Sequence, residues 1–534
     1  MRLVQPRTLA RAFPVLGDQI RHGTVPRGIA AMRANVTGAS EFGREVAQPP
    51  KVARKRLNRR GRYHLVVIGG GTAGLVSAAI AAQLGASVAL IEAHRMGGDC
   101  LNYGCVPSKA LIATARVRAL QQRWNEFGLP PVAQPPIDFG QVLASMRHLQ
   151  ARIAVHDSPD RFRSLGVDVY LGRARFAGPD KVVVGAECLR FRRAIIATGA
   201  RPRIPNVPGL RSEMCLTNES VFSLAEFPRR LAVLGAGPVG CELAQVFARL
   251  GSEVALIETE HGVLPRDERD AAELVRQGLE RDGVRVLCCG RSLRVEETRD
   301  GLRLDLRSHG KEIAYTCDRI LIATGRTPNV ECLDLEAAGV AYEVGKGVQV
   351  DDRLRTTNRR IYAAGDVCGH YQFTHAADAM ARIAVTNALF FGRRRLSKLV
   401  IPWCTYTDPE LGHVGLTRSQ AEERGIRFDE IVQPLEGVDR AVLDRDSEGF
   451  VRVLVRRGSD RILGATAVGG GAGEMICQLS LALTHGIGLR QFAATVFPYP
   501  TRAEGVRKLG DAYLRSRLTP GVRRLIGLFL RVFG

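Results

Sequence analysis

Cys100 and Cys105 sit five positions apart between Gly97-Gly98 and Val106-Pro107-Ser108-Lys109. In a regular helix, Cα atoms five residues apart are about 8–9 Å from each other. A disulfide wants about 4.4–6.8 Å. Either the two cysteines are unpaired, or the backbone between them leaves helical geometry. Asn102 and Gly104 are residue types that make such a departure inexpensive. The reading is a redox-active disulfide at an irregular helix start, where a helix N-terminus would stabilise a thiolate once the bond is reduced.

Two further stretches handle nucleotides. The apolar run 64–68 is followed by Gly69-Gly70-Gly71-Thr72-Ala73-Gly74, an Ala-rich helical segment, and a second apolar run, 87–91, that ends in Glu92. Strand, glycine turn, helix, strand and acid in that order form a dinucleotide fingerprint. The glycines let backbone N–H groups approach a pyrophosphate at a helix N-terminus, and Glu92 can accept from a ribose hydroxyl. The pattern recurs as 231–234, Gly235-Ala236-Gly237-Pro238-Val239-Gly240 and 254–257 ending in Glu258. Two fingerprints predict two dinucleotides. Glu258 accepts from a free 2′-hydroxyl and repels a 2′-phosphate, which favours NADH, whereas the nearby Arg266 and Arg269 favour NADPH.

These motifs, in this order over about residues 63–515, resemble the pyridine nucleotide–disulfide oxidoreductases, the flavoproteins that include dihydrolipoamide dehydrogenase, glutathione reductase and mercuric reductase. The resemblance implies an α/β chain with two Rossmann-like domains, one for FAD and one for NAD(P), plus a C-terminal α+β dimerisation domain. It implies an FAD-binding domain over 63–205 and 331–398, an NAD(P)-binding domain over 206–330 and a dimerisation domain over 399–515. FAD would lie on Gly69, Gly71, Gly74, Glu92 and Gly98, with Thr198 and Gly199 from the Ala-Thr-Gly segment and Asp366 from Ala364-Gly365-Asp366. The nicotinamide nucleotide would lie on Gly235, Gly237, Gly240, Glu258 and Gly325. By the same resemblance Cys105 is the flavin-side sulfur, Cys100 the exchange sulfur, and Lys109 the cation near the flavin, paired with Glu242.

One departure narrows the function. Lipoamide and glutathione reductases carry His-Pro-Thr-x-x-Glu, supplied by the other subunit of a homodimer. Here the segment reads Phe497-Pro498-Tyr499-Pro500-Thr501-Arg502-Ala503-Glu504, so Tyr499 takes the histidine position ahead of Glu504. Tyrosine, with an ordinary pKa of about 10, is a poor base at neutral pH. The chain therefore looks closest to the mercuric reductase branch, although the last cysteine is Cys477 and that branch's C-terminal cysteine pair is missing. The expectation is an NAD(P)H oxidoreductase passing electrons through FAD and Cys100–Cys105 to a small-molecule, thiol or metal-ion acceptor. A dihydrolipoamide dehydrogenase and a flavin-binding redox sensor are the alternatives.

Composition bounds the rest. The chain is 534 residues, 45% hydrophobic and 24% charged, which fits a globular enzyme of several domains. No run of 18 apolar residues stands out as a membrane span. Twelve cysteines argue for a reducing, cytoplasmic setting. Cys188, Cys215, Cys241, Cys317, Cys404 and Cys477, each alone in a strand- or helix-like segment, are expected to be buried. The adjacent Cys288-Cys289 are expected to be core at a strand end. The net charge of +22 is concentrated in the first 62 residues and the last 33, and with 68 Arg against 8 Lys it reads as an arginine-rich composition rather than a nucleic-acid site. Residues 1–62 are read as an appended basic extension, with a presequence as the alternative. Residues 516–534 are read as a packed or frayed basic amphipathic tail, with weak membrane-surface contact as the alternative.

Overall fold

The computed structural model describes residues 61–131 and 135–533, so the N-terminal basic extension lies outside the described residues apart from its last two positions. A first sheet is built on Tyr63–Ile68, which pairs in parallel with Val88–Glu92 on one side and Glu187–Ile196 on the other. Val167–Leu171 extends it past Val88–Glu92, and Ile361–Ala363 returns from far along the chain to lie beside Glu187–Ile196. Leu65, Val66 and Val67 are fully buried. Their unbroken apolar run fits a parallel strand covered on both faces, where the core also takes in Phe176, Val182 and Phe191 of the antiparallel strands beside it. The helix Thr72–Gln83 buries Gly74, Ala78, Ala81 and Ala82, small side chains that let it lie close to the strands.

The second sheet repeats the plan. Its strands Val284–Leu287, Glu253–Ile257, Arg230–Leu234, Arg319–Ile322 and Cys215–Leu216 are parallel throughout. A three-stranded antiparallel meander, Arg291–Thr298, Gly301–Ser308 and Lys311–Cys317, follows it and was not expected from sequence. Its middle strand buries Leu302, Leu304 and Leu306 and exposes Arg303 and Arg307 between them, the period of a half-covered strand. Where the chain passes between the two sheets, Ala200–Pro202 and Arg326–Pro328 pair antiparallel, so the outgoing and returning segments are joined.

The C-terminal sheet is antiparallel, in the order Trp403–Thr405, Leu411–Gly415, Ile462–Val468, Phe450–Arg456, Phe428–Pro434. Sequence reading expects two helices here. The structure has five, of which Arg418–Glu423, Asp439–Leu443 and Leu489–Ala494 are too short to show a period. Buried Arg452 reaches Asp270 on the helix Arg269–Arg281, and Arg249 bonds both Asp282 and Asp408, fastening this sheet to the second one. The last helix, Pro520–Phe533, buries none of its residues, so of the packed or frayed end expected the packed form is not found. No helix among the described residues is long and apolar enough to cross a membrane.

All twelve cysteines are free thiols. Cys241 and Cys317 are buried as expected, but Cys188 and Cys477 are exposed and Cys215 and Cys404 are half-buried. Cys188 lies on an outward position of an alternating strand, and Cys477 on the open side of the helix Ala472–His485.

His413 lies in the C-terminal core. Its Nδ1 is 2.9 Å from the Thr466 hydroxyl, and its ring packs 4.5 Å from that of Trp403. Burial lowers its pKa to about 4, while the unfolded chain's histidine titrates near about 6.5. The stability that depends on a neutral ring is therefore complete above pH ~6.5 and is lost as the pH falls toward 4, by about 3 kcal/mol. His413→Gln should flatten the difference between the unfolding free energies from urea titrations at pH 7 and pH 4 by that amount. An unchanged difference would refute the assignment.

Candidate active site

Around the cysteines, a short helix Gly98–Tyr103 ends at Gly104, and a new helix, Cys105–Gln122, begins at once. Gly104 has φ −128° and ψ −116°, far from helical values. A Cβ there would lie 3.2 Å from the Cys100 Cα, so the turn is closed too tightly for a side chain to enter freely. This is the departure from helix that the spacing required. The turn brings the two sulfurs close enough for each to perturb the ionisation of the other. Gln150 donates to the carbonyls of Leu101 and Asn102, and Asn218 to the Asp99 carboxylate and the Tyr103 carbonyl, which caps the broken helix from two sides.

The pair is electrostatically unequal. Cys105 is the first residue of an 18-residue helix, so it sees the positive end of the dipole. The hydrogen bond from Cys100 pulls the Cys105 pKa down, helped by the Thr374 hydroxyl at 3.4 Å and the charge of Lys109. The same hydrogen bond, together with burial, pushes the Cys100 thiol up. Of the two, Cys105 gives up its proton more readily.

Lys109 lies one turn along the same helix. Its Nζ is 2.7 Å from Glu242 Oε2 and 4.8 Å from the Tyr406 ring centre. Glu242 is 3% exposed, and its other oxygen accepts the Tyr406 N–H at 2.9 Å. Glu242 belongs to Pro238–Arg249, the helix of the second glycine loop.

The two glycine loops have the same construction. Gly69 and Gly235 have φ 111° and 100°, and a Cβ on either would collide with the carbonyl of Ala197 or Ala323 on a neighbouring strand end. Gly74 and Gly240 occupy matching crowded positions on the helices, and Gly71 and Gly237 precede the first helical residue. Gly98 touches Gly71 so closely that a Cβ on it would lie 2.5 Å from the Gly71 Cα. At each second-strand end the acid binds its own loop. Glu92 accepts from Gly70 N at 2.5 Å and His94 N at 2.7 Å, and Glu258 accepts from Ala236 N at 2.8 Å and Thr259 N at 2.7 Å. Arg269 is spent on the carbonyls of His261 and Asp267, both at 3.1 Å.

Thr198 and Gly199 tie the end of Glu187–Ile196 to Asn329: the Thr198 hydroxyl donates to the Asn329 carbonyl at 2.7 Å, and Asn329 N donates to Gly199 O at 2.9 Å. Gly325 accepts from Arg203 N at 2.9 Å in the same crossover. Asp366 follows Gly365 at the end of Ile361–Ala363, and burial raises its pKa to about 6. Arg326 sits between Asp366 at 3.6 Å and Asp99 at 3.2 Å, and its buried Nε has no hydrogen-bond partner. A desolvated carboxylate beside an unsatisfied N–H, facing a pair of touching glycine backbones, fits a flavin dinucleotide with a hydroxylated chain and a pyrophosphate.

Tyr499 and Glu504 are not brought to the cysteines by this chain. Tyr499 is 70% exposed and donates to Asp439 at 2.7 Å on its own domain, an interaction that raises its pKa. Glu504 starts the helix Glu504–Ser516, and its buried Oε2 has no hydrogen-bond partner. Sequence reasoning missed Thr374, Arg326 and Tyr406. Arg326 directly follows Gly325 and Tyr406 ends the run Trp403-Cys404-Thr405-Tyr406, but Thr374 carried no local signal.

The pyridine nucleotide-disulphide oxidoreductase family matches residues 63–381, and its dimerisation domain matches residues 401–509. The chain belongs to this family and is an FAD-dependent pyridine nucleotide–disulfide oxidoreductase. It is 32% identical to a mercuric reductase of Staphylococcus aureus over 480 residues, 90% of this chain and 87% of that protein. It is 34% identical to a dihydrolipoyl dehydrogenase of Thermus scotoductus over 452 residues, 84% of this chain and 97% of that protein. Among solved structures, the HOCl-induced flavoprotein disulfide reductase RclA from Escherichia coli is similar, with TM-score 0.74 and 28% identity, covering 84% of this chain and 99% of that one.

Replacing Glu242 separates its two duties. Glu242→Gln keeps an acceptor for the Tyr406 amide but leaves Lys109 without an anion. With Lys109 partly open to water, that should cost about 1–2 kcal/mol. Glu242→Leu also strands the amide and should cost more. Urea unfolding of the two variants checks the order, and equal losses would argue against the shared carboxylate.

Proposed function

We propose that this chain forms a homodimer that oxidises NADH and delivers the electrons, through FAD and the Cys100–Cys105 pair, to a thiolate-bound metal ion of the mercury(II) kind. The observation that carries the reading is Tyr499. Reduction of a disulfide to two thiols takes up two protons, and a nearby acid must supply at least one to the leaving thiolate. A tyrosine whose hydroxyl is committed to Asp439 and whose pKa is raised is a poor donor-acceptor for that role. Reduction of a dithiolate-bound mercury(II) ion to the metal takes two electrons, breaks two sulfur–metal bonds and needs no proton. The similarity to mercuric reductases supports the same reading.

Bound FAD supplies the two-electron relay between nicotinamide and disulfide. The remaining steps belong to side chains. Cys105, at a helix N-terminus beside Lys109 and Thr374, holds the thiolate against the cofactor. Cys100 exchanges with the acceptor. Lys109, fixed by Glu242, offers positive charge where electron density arrives. The segment Phe497–Glu504 of the second subunit closes the acceptor side, and the unsatisfied Glu504 oxygen finds its donor across that contact. Glu258 selects NADH by accepting from the 2′-hydroxyl. The use of cysteine, twelve in 534 residues, supports a reducing compartment such as the cytoplasm.

Two measurements test this. The FAD-loaded protein should oxidise NADH at a steady rate with mercury(II) and excess thiol, and at least tenfold more slowly with a small dithiol-forming disulfide. The opposite ranking favours a dihydrolipoamide dehydrogenase-type reductase. Glu258→Ala should raise the KM for NADH several-fold more than that for NADPH, and equal changes would remove Glu258 from nucleotide selection.

A further inference from the structure

The second sheet carries a cluster that the redox path does not use. Cys288 and Cys289 follow the strand Val284–Leu287, His261 lies in the loop after Glu253–Ile257, and His309 is at the turn between Gly301–Ser308 and Lys311–Cys317. One ligand atom from each lies within 4.8 Å of all the others. Cys288 Sγ is 3.2 Å from His309 Nε2, and Cys289 Sγ is 3.5 Å from His261 Nδ1. A tetrahedral ion with metal–sulfur bonds of about 2.3 Å and metal–nitrogen bonds of about 2.0–2.1 Å has a sulfur-to-nitrogen edge of about 3.6 Å. The cluster is already close to that size.

Consecutive strand residues point to opposite faces, so neighbouring cysteines do not ordinarily converge. Cys289 departs by taking φ 55°, and His309 turns inward with φ 49°. Both are left-handed conformations that side chains other than glycine rarely adopt. Only Cys288 is buried; Cys289 is half-buried and both histidines are exposed, so the expectation that the cysteine pair is core holds for one residue of the two. Cys288 and the two histidines' side of the cluster open on a cavity of about 410 Å³, which gives an ion access.

We propose that His261, Cys288, Cys289 and His309 form a tetrahedral site for zinc(II), with two thiolates and two neutral imidazoles. That donor set suits a closed structural zinc site. Binding forms two Zn–S and two Zn–N bonds and releases the two thiol protons to solvent, with no change of oxidation state. The ion joins three segments. Cys289 N already donates to Glu260 O at 2.9 Å, Gly290 N to Glu258 O at 2.8 Å, and the Ser308 hydroxyl to Cys288 O at 2.6 Å. Zinc therefore clasps the loop that begins at Glu258 to the strand end and to the meander.

The test uses the full-length, FAD-loaded, thiol-reduced protein carrying Cys100→Ser and Cys105→Ser, so that the redox pair cannot hold the metal. Cobalt(II) titration should saturate at one ion per chain with the intense visible bands of tetrahedral thiolate coordination, and zinc(II) should displace it. His309→Asn keeps a residue type that tolerates the left-handed turn, and His261→Ala alters an exposed loop. Each should weaken cobalt binding at least tenfold while circular dichroism and bound FAD stay unchanged. Cys289→Ser, which leaves Cys288 as the one thiolate of the site, should reduce the thiolate bands by half or more. Absence of stoichiometric binding, a six-coordinate spectrum, or equal binding by the folded histidine variants would overturn the site.

Discussion

A buried carboxylate with two partners holds the redox centre in register. Glu242 leaves the nucleotide helix of the second sheet, neutralises Lys109 on the cysteine helix, and accepts the amide of Tyr406 at the edge of the C-terminal sheet. An unpaired charge at 3% exposure would be expensive, so each of its partners must be present before the other contacts there are stable. The cysteine helix, the nucleotide helix of the second sheet and the edge of the C-terminal sheet thus meet at one side chain. The position of Lys109, and through its helix the position of Cys105, follows from that meeting.

The broken helix solves a second constraint. Five residues of helix would carry Cys100 and Cys105 apart, and Gly104 restarts the helix so that one sulfur gains a helix N-terminus while the other does not. The resulting asymmetry, a lowered Cys105 and a raised Cys100, comes from their interaction with each other and from burial, with Thr374 and Lys109 beside Cys105. Thr374 and Lys109 act on Cys105 in the same direction as its place at a helix N-terminus.

Local patterns were the legible part. Both fingerprints, their acids and the cysteine motif could be read because glycine turns, buried strands and helix starts lie within about thirty residues of each other. The meander 291–317 was not read, although Leu302, Leu304 and Leu306 alternate cleanly, because nothing nearby announced a separate sheet. Residues that act through long-range contact were silent. Thr374 is 269 positions from Cys105, and His261 and His309 gain meaning only when folding places them on either side of Cys288-Cys289. Burial of lone cysteines failed for Cys188 and Cys477 because an apolar residue type does not fix which face of an element it occupies.

Glu258 answers to its own loop. Its carboxylate satisfies the Ala236 N–H inside the glycine turn and the Thr259 N–H at the strand end. Exchanging it for a side chain that welcomes a phosphate would leave both amides searching for an acceptor. Changing the charge at this strand end is thus a problem of loop repair as much as of charge reversal, and a single substitution addresses half of it.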